Sequence, residues 1–96
     1  MANNFKIAMQ RNGGNLQLNL LGDFDGSSAF ELYNALKENL SSARHVFINT
    51  EHLKEVYPFG RRVFIRNFLR LGHHRDRIEF IGENSEPITA STDRSV

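Results

Sequence analysis

At 96 residues the chain holds one domain's worth of sequence, near the size at which surface-to-volume scaling leaves little spare stability. Its 40% hydrophobic content supports a single modest core, and the absence of cysteine excludes a disulfide framework and a thiolate metal site. The formal net charge of +1 is polarised: residues 61–77 hold six arginines against Asp76, a local +5, while the rest of the chain holds six basic and ten acidic groups, −4.

The N-terminus has no apolar h-region, and no stretch approaches the roughly 20 apolar residues of a membrane span, so a cytoplasmic protein without direct membrane insertion is expected. Phe5, Ile7 and Met9 alternate with Lys6, Ala8 and Gln10, the period of a half-buried strand. Asn12-Gly13-Gly14-Asn15 supplies turn residues, and Leu16, Leu18 and Leu20 alternate with Gln17 and Asn19, which predicts an antiparallel hairpin. Its apolar face needs a cover.

Gly22 to Gly26 is a turn-forming cluster, and Ser28 with Glu31 predicts a capping box at the start of a helix. Ala29, Leu32, Leu36 and Leu40 follow at helical spacing, widened by Phe30 and Tyr33. His45 to Thr50, with Val46, Phe47 and Ile48 together, reads as a strand buried on both faces and ended by Glu51 and His52. A loop then carries Tyr57, Pro58, Phe59 and Gly60. Pro58 pushes Tyr57 out of helical space, and Gly60 turns the backbone freely into a helix opening at Arg61-Arg62. In that helix Phe64, Phe68 and Leu71 recur on one face, with Val63 and Asn67 beside them, and Arg62, Arg66 and Arg70 recur on another. Gly72 suits its C-terminus, and Arg77 to Ile81 reads as a last strand. From Glu83 onward there is no period and little to bury, so residues 83–96 are expected to be a disordered tail behind a single domain at 1–82.

The predicted order is β-β-α-β-α-β: an α/β fold with a small mixed sheet, antiparallel at its first strand and parallel after it, and two helices packed on it. Catalytic and metal chemistry find no constellation. His73 and His74 are adjacent and point apart on a helix end, and Asp23 and Asp25 have no histidine or nucleophile in their motif. Asp25 is read as capping or bracing the first helix. Neither a metal nor a cofactor is expected, and nucleic acid is disfavoured because the chain as a whole is almost neutral.

The ordered set Leu20-Leu21-Gly22-Asp23-Phe24-Asp25, a helix with Ala29, a strand, and an apolar loop ending in Gly60 before a second helix resembles the STAS domain. That domain is shared by anti-sigma factor antagonists and the cytoplasmic tails of sulphate transporters. The resemblance implies a non-enzymatic regulatory module whose partner is an anti-sigma factor, a kinase-like protein or another regulator, with the acidic turn at Asp25 near the partner surface. Antagonist members usually carry Asp-Ser-Ser-Gly before the second helix and are phosphorylated on a serine there. Here those places hold Tyr57, Pro58, Phe59 and Gly60, so only the glycine survives and no phospho-acceptor serine is present.

Tyr57-Pro58-Phe59 makes this segment stiffer and more apolar than the family's polar loop, and exposed aromatics there suit an interface. Two fates are open to Phe59, inward into the core or outward to a partner; the arginine stripe is equally a solvated face or a surface for an acidic partner. The expected partner-binding set is Asp25, Tyr57, Phe59, Gly60, Arg62, Arg66 and Arg70. Alternatives are an anion or nucleotide at Gly60, Arg61 and Arg62, and an accessory subunit bound to a membrane-transport ATPase. Lacking a further C-terminal helix in its pattern, the domain is expected to cover exposed apolar surface by forming a homodimer.

Overall fold

The structure is a computed structural model, and it describes residues 4–82. The tail expected at 83–96 lies outside the described residues. Strands β1 (Lys6–Asn12) and β2 (Asn15–Phe24) form the antiparallel hairpin, with Met9 opposite Leu18 and Gly13 at φ 66° making the turn. β2 pairs in parallel with β3 (His45–Val56), and β3 in parallel with β4 (Ile78–Ile81), so the sheet order is β1-β2-β3-β4. The crossovers are helices α1 (Gly26–Asn39) and α2 (Pro58–Leu69), and a short 3₁₀ turn, Gly72–Arg77, leads into β4. This is the mixed α/β architecture and the element order that the hydrophobic periods predict.

Both helices pack on one face of the sheet. Leu16, Leu18 and Leu20 of β2 and Val46 and Ile48 of β3 meet Ala29, Leu32 and Leu36 of α1 and Phe64 and Phe68 of α2 in one core. A chain of aromatic edges ties the elements together. Phe5 meets Phe24 at 6.0 Å, Phe24 meets Phe64 at 6.0 Å, and Phe80 lies 5.7 Å from Phe64 and 5.8 Å from Phe68. Such edge-to-face pairs add about 0.5–1.5 kcal/mol each beyond the area they bury. The opposite face of the sheet carries linked amides: Asn49 donates to the Asn19 side chain, Gln17 donates to the same oxygen, and Asn19 donates to Gln10.

Local expectations are corrected in four elements. β3 does not end at Thr50 but continues to Val56, and β2 runs through the predicted turn cluster to Phe24. The reason is visible in the register. Asn19 faces Asn49, Leu21 faces His52, and Asp23 faces Glu55, so β3 inserts one extra residue opposite β2 twice. Each insertion flips the alternation, and inward positions go from Val46, Ile48 and Thr50 to Leu53. A strand whose period breaks twice looks like a strand that has ended. Nor is β3 buried on both faces, for Phe47 lies on the amide-bearing side and is only partly covered.

The third correction is at α1: Ser28 is not the cap of a capping box but a buried residue of the first turn, and its N–H donates to Asp25, which is the N-cap as its reading as a helix brace expects. Phe30 does not widen the buried stripe; it stands 53% exposed. At about 100° per residue it lies about 120° from the centre of the stripe formed by Ala29, Leu32, Leu36 and Leu40. The fourth is at α2, which begins at Pro58 rather than at Arg61. Proline at the first helical position loses no needed N–H and arrives with a helical φ. Phe59 and Gly60 are therefore helix, and the predicted loop reduces to Tyr57, the N-cap.

Candidate protein-binding site

Because β2 and β3 are adjacent and parallel, the two helices start side by side at the same edge of the sheet. The Tyr57 N–H donates to the Phe24 carbonyl at 2.9 Å, pairing the two strand-to-helix junctions. Directly beyond, Gly60 is buried against Asp25. A β-carbon on Gly60 would sit 2.6–2.7 Å from the Asp25 backbone, so the glycine is required for close approach of α2 to α1, not for a free turn. Two residues predicted for the site, Asp25 and Gly60, are thus brought into contact from opposite ends of the motif.

Asp25 is engaged in holding that junction. Its Oδ1 accepts from the Ser28 N–H at 3.0 Å and the Ser27 hydroxyl at 2.9 Å, and the one Ser28 hydroxyl proton is shared between Oδ1 at 3.0 Å and the Asp23 carbonyl at 2.8 Å. Burial pushes the Asp25 carboxyl up, but the donors from Ser28 and Ser27 outweigh it and hold its pKa below the ordinary carboxylate value.

Phe59 turns outward. One edge of its ring rests on Gly26, where an added β-carbon would lie 2.8 Å from the ring, and 64% of the residue remains exposed. Tyr57 beside it is 44% exposed. Along α2 from Phe59, residues three, four and seven further on share its side of the helix. Phe59, Arg62, Val63 and Arg66 line a groove of about 350 Å³. Arg62 and Arg66 are exposed and Val63 is half-buried, so the groove has an apolar floor and end with two guanidinium groups on its rim. Arg70, exposed at the C-cap, continues the row one turn beyond Arg66.

The other arginines of the basic window have different employment. Arg77 donates to the Leu40 and Ala43 carbonyls at 2.8 and 2.6 Å and so ties the end of α1 to the start of β4. Arg75 donates to the Gly72 carbonyl, and Arg61 is half-buried, with its N–H bonded to the Tyr57 carbonyl. Of the residues proposed for an anion, Gly60 is covered by Asp25, while Arg61 and Arg62 point to different sides of the helix at this spacing.

Sequence reasoning missed Val63 as the floor of the groove and Phe30 as an exposed aromatic. Phe30 stands one turn along α1 from Gly26, the residue on which Phe59 rests. Both had a signal. Starting α2 at Pro58 puts Phe59, Arg62, Val63 and Arg66 in helical phase, and the angular offset of Phe30 from its stripe places it outside.

No protein-family model and no curated protein matches the sequence. Solved structures do. An anti-sigma factor antagonist from Mycobacterium paratuberculosis is similar with a TM-score of 0.68 at 14% identity, covering 92% of this chain and 78% of that one. An uncharacterized protein with a SpoIIAA-like fold from Shewanella loihica PV-4 is similar with a TM-score of 0.54 at 18% identity, over 93% and 76% of the two chains. Part of Mglu is similar with a TM-score of 0.67 at 24% identity over 79% of this chain; the chain spans only 19% of Mglu. These likenesses show a fold, and it is the STAS-like fold that the ordered motifs implied.

Proposed function

We propose that this chain is a non-enzymatic regulatory module of the anti-sigma factor antagonist type that binds a protein partner through the surface from Tyr57 to Arg70, without the serine switch. The observation that carries the reading is the outward Phe59 ring, 64% exposed at the head of a groove whose other lining is Arg62, Val63 and Arg66. An aromatic side chain held in place and left in water, beside arginines, is the composition of an interface hot spot. Its placement at the junction of α1 and α2 supports the same reading, since that edge of the sheet gathers both crossover starts. Tyr57, Pro58 and Phe59 provide no aliphatic hydroxyl where antagonists are phosphorylated, so binding is constitutive at this point.

The test begins with affinity purification from the native cell and identification of the co-eluting protein. With that partner in hand, Tyr57→Ala speeds dissociation by a factor equivalent to about 1–3 kcal/mol, with an unchanged melting temperature. A partner that binds Tyr57→Ala and Phe59→Ala with wild-type rates would remove the surface from the reading. Intact mass after incubation with the partner, if it is a kinase, and ATP is expected to show no phosphate on residues 57–60; a phosphotyrosine at Tyr57 would restore a switch.

A further inference from the structure

Resting on the interaction reading above, we infer that the α2 groove takes an acidic protein segment that presents an apolar side chain between two carboxylates about one helical turn apart. Arg62 and Arg66 are four residues apart on one helix, so their side chains emerge about 6 Å from each other along the axis. Guanidinium groups take carboxylates in a two-pronged geometry, and two of them at this spacing match acidic residues at positions i and i+4 of a partner helix. Beside them on the helix, Val63 and Phe59 supply the apolar lining of the same groove. A bare anion would leave both apolar groups uncovered, and a purely apolar ligand would leave two charges to be desolvated without partners.

Phe59 is prepared for this occupant. Its ring edge rests on Gly26, so it has lost part of its rotamer freedom before anything binds. Charge favours a short acidic segment over a nucleic acid. The basic window carries +5, but the remainder of the chain carries −4, so the excess positive charge is confined to α2 and the 3₁₀ turn that follows it instead of following a phosphate backbone. Arg70, one turn past Arg66, gives a third carboxylate contact to a partner helix that continues along α2.

The experiment is an NMR titration of the full 96-residue chain, ¹⁵N-labelled, with defined probes. The first probe is a helical peptide with two glutamates four residues apart and a leucine between them on the same face. Others are its lysine-for-glutamate twin, its alanine-for-leucine twin, inorganic phosphate and a single-stranded oligonucleotide. Saturable shifts of the amides of residues 59–66 are expected with the glutamate peptide, weakened about tenfold or more in the alanine twin and absent with the lysine twin. Arg62→Glu with Arg66→Glu is expected to lose the glutamate peptide and to gain the lysine twin, with the melting temperature near wild type because both side chains are exposed. No saturable response to the glutamate peptide, an equal response to phosphate or the oligonucleotide, or indifference to the double substitution would overturn the inference. The two readings separate on the natural partner. If that partner ignores Arg62→Glu with Arg66→Glu but is weakened by Tyr57→Ala, the acidic segment is wrong and the interaction surface stands; if neither substitution matters, both fail.

Discussion

Phe59 and Phe64 are five residues apart on the same helix, yet one is 64% exposed and the other 1% exposed. Five residues at about 100° each place them about 140° apart around the axis, so a helix that buries one must present the other elsewhere. Phe64 is enclosed by Phe24, Phe68 and Phe80 and belongs to the chain of aromatic edges that fixes α2 on the sheet. Phe59 rests its ring edge on the start of α1 at Gly26 and then faces water beside Arg62 and Arg66. The two sides of α2 divide the labour: one side holds the fold, and the other faces water.

The largest expected contrast follows from that division. Phe64→Ala leaves a cavity in the core and is expected to cost about 3–5 kcal/mol, a large fraction of the stability of a domain this small. Phe59→Ala is expected to cost no more than about 0.5 kcal/mol. Urea unfolding of both variants checks it. Similar losses would mean that the two sides of α2 are not separate, and a silent Phe64→Ala would mean that the aromatic chain does not hold the helix.

A finer version uses two glycines at the helix junction. Helix propensity alone would make alanine better than glycine by about 1 kcal/mol at an interior position. At Gly60 the new methyl would strike the Asp25 backbone, which cannot give way, so Gly60→Ala is expected to destabilise by about 1–3 kcal/mol. At Gly26 the methyl would meet the end of the Phe59 ring, which can swing into solvent. Gly26→Ala is therefore expected to be near neutral in stability while displacing Phe59 and weakening the partner. Melting temperatures that rank the two substitutions the other way would refute the assignment of Gly60 as the rigid contact.

The smallest contrast is at the cap. Asp25→Ala removes the acceptor for Ser27 and Ser28 and is expected to cost about 1 kcal/mol. The folded pKa of Asp25 is lowered, so its contribution is fully present above the unfolded value, about 3.9, and is lost as pH falls through the lower folded value. Unfolding measured from pH 6 downward should lose this component for wild type but not for Asp25→Asn, where a neutral side chain still caps. Identical pH profiles would show that the charge of Asp25 adds nothing to its geometry.

Much of the architecture was legible in the chain. The two-residue period of Phe5 to Ile7 and Leu16 to Leu20, the glycines between them and the helical stripes at Leu32, Leu36, Phe64 and Phe68 determined a hairpin, two amphipathic helices and their order, because burying apolar side chains requires those periods, although Met9, in the same period, stands 52% exposed. The arginine row on α2 was equally readable, since residues four apart share a face whatever surrounds them. Tertiary structure decided what periodicity could not. Two extra residues in β3 are set by its pairing with β2, and they carried the strand six residues past the point where its alternation broke. The contact of Gly60 with Asp25 joins residues 35 positions apart, so only docking of the two helices reveals why a glycine stands there. The outward position of Phe59 rests on that same docking: with Gly60 against Asp25, the ring beside it is directed onto Gly26 and into water.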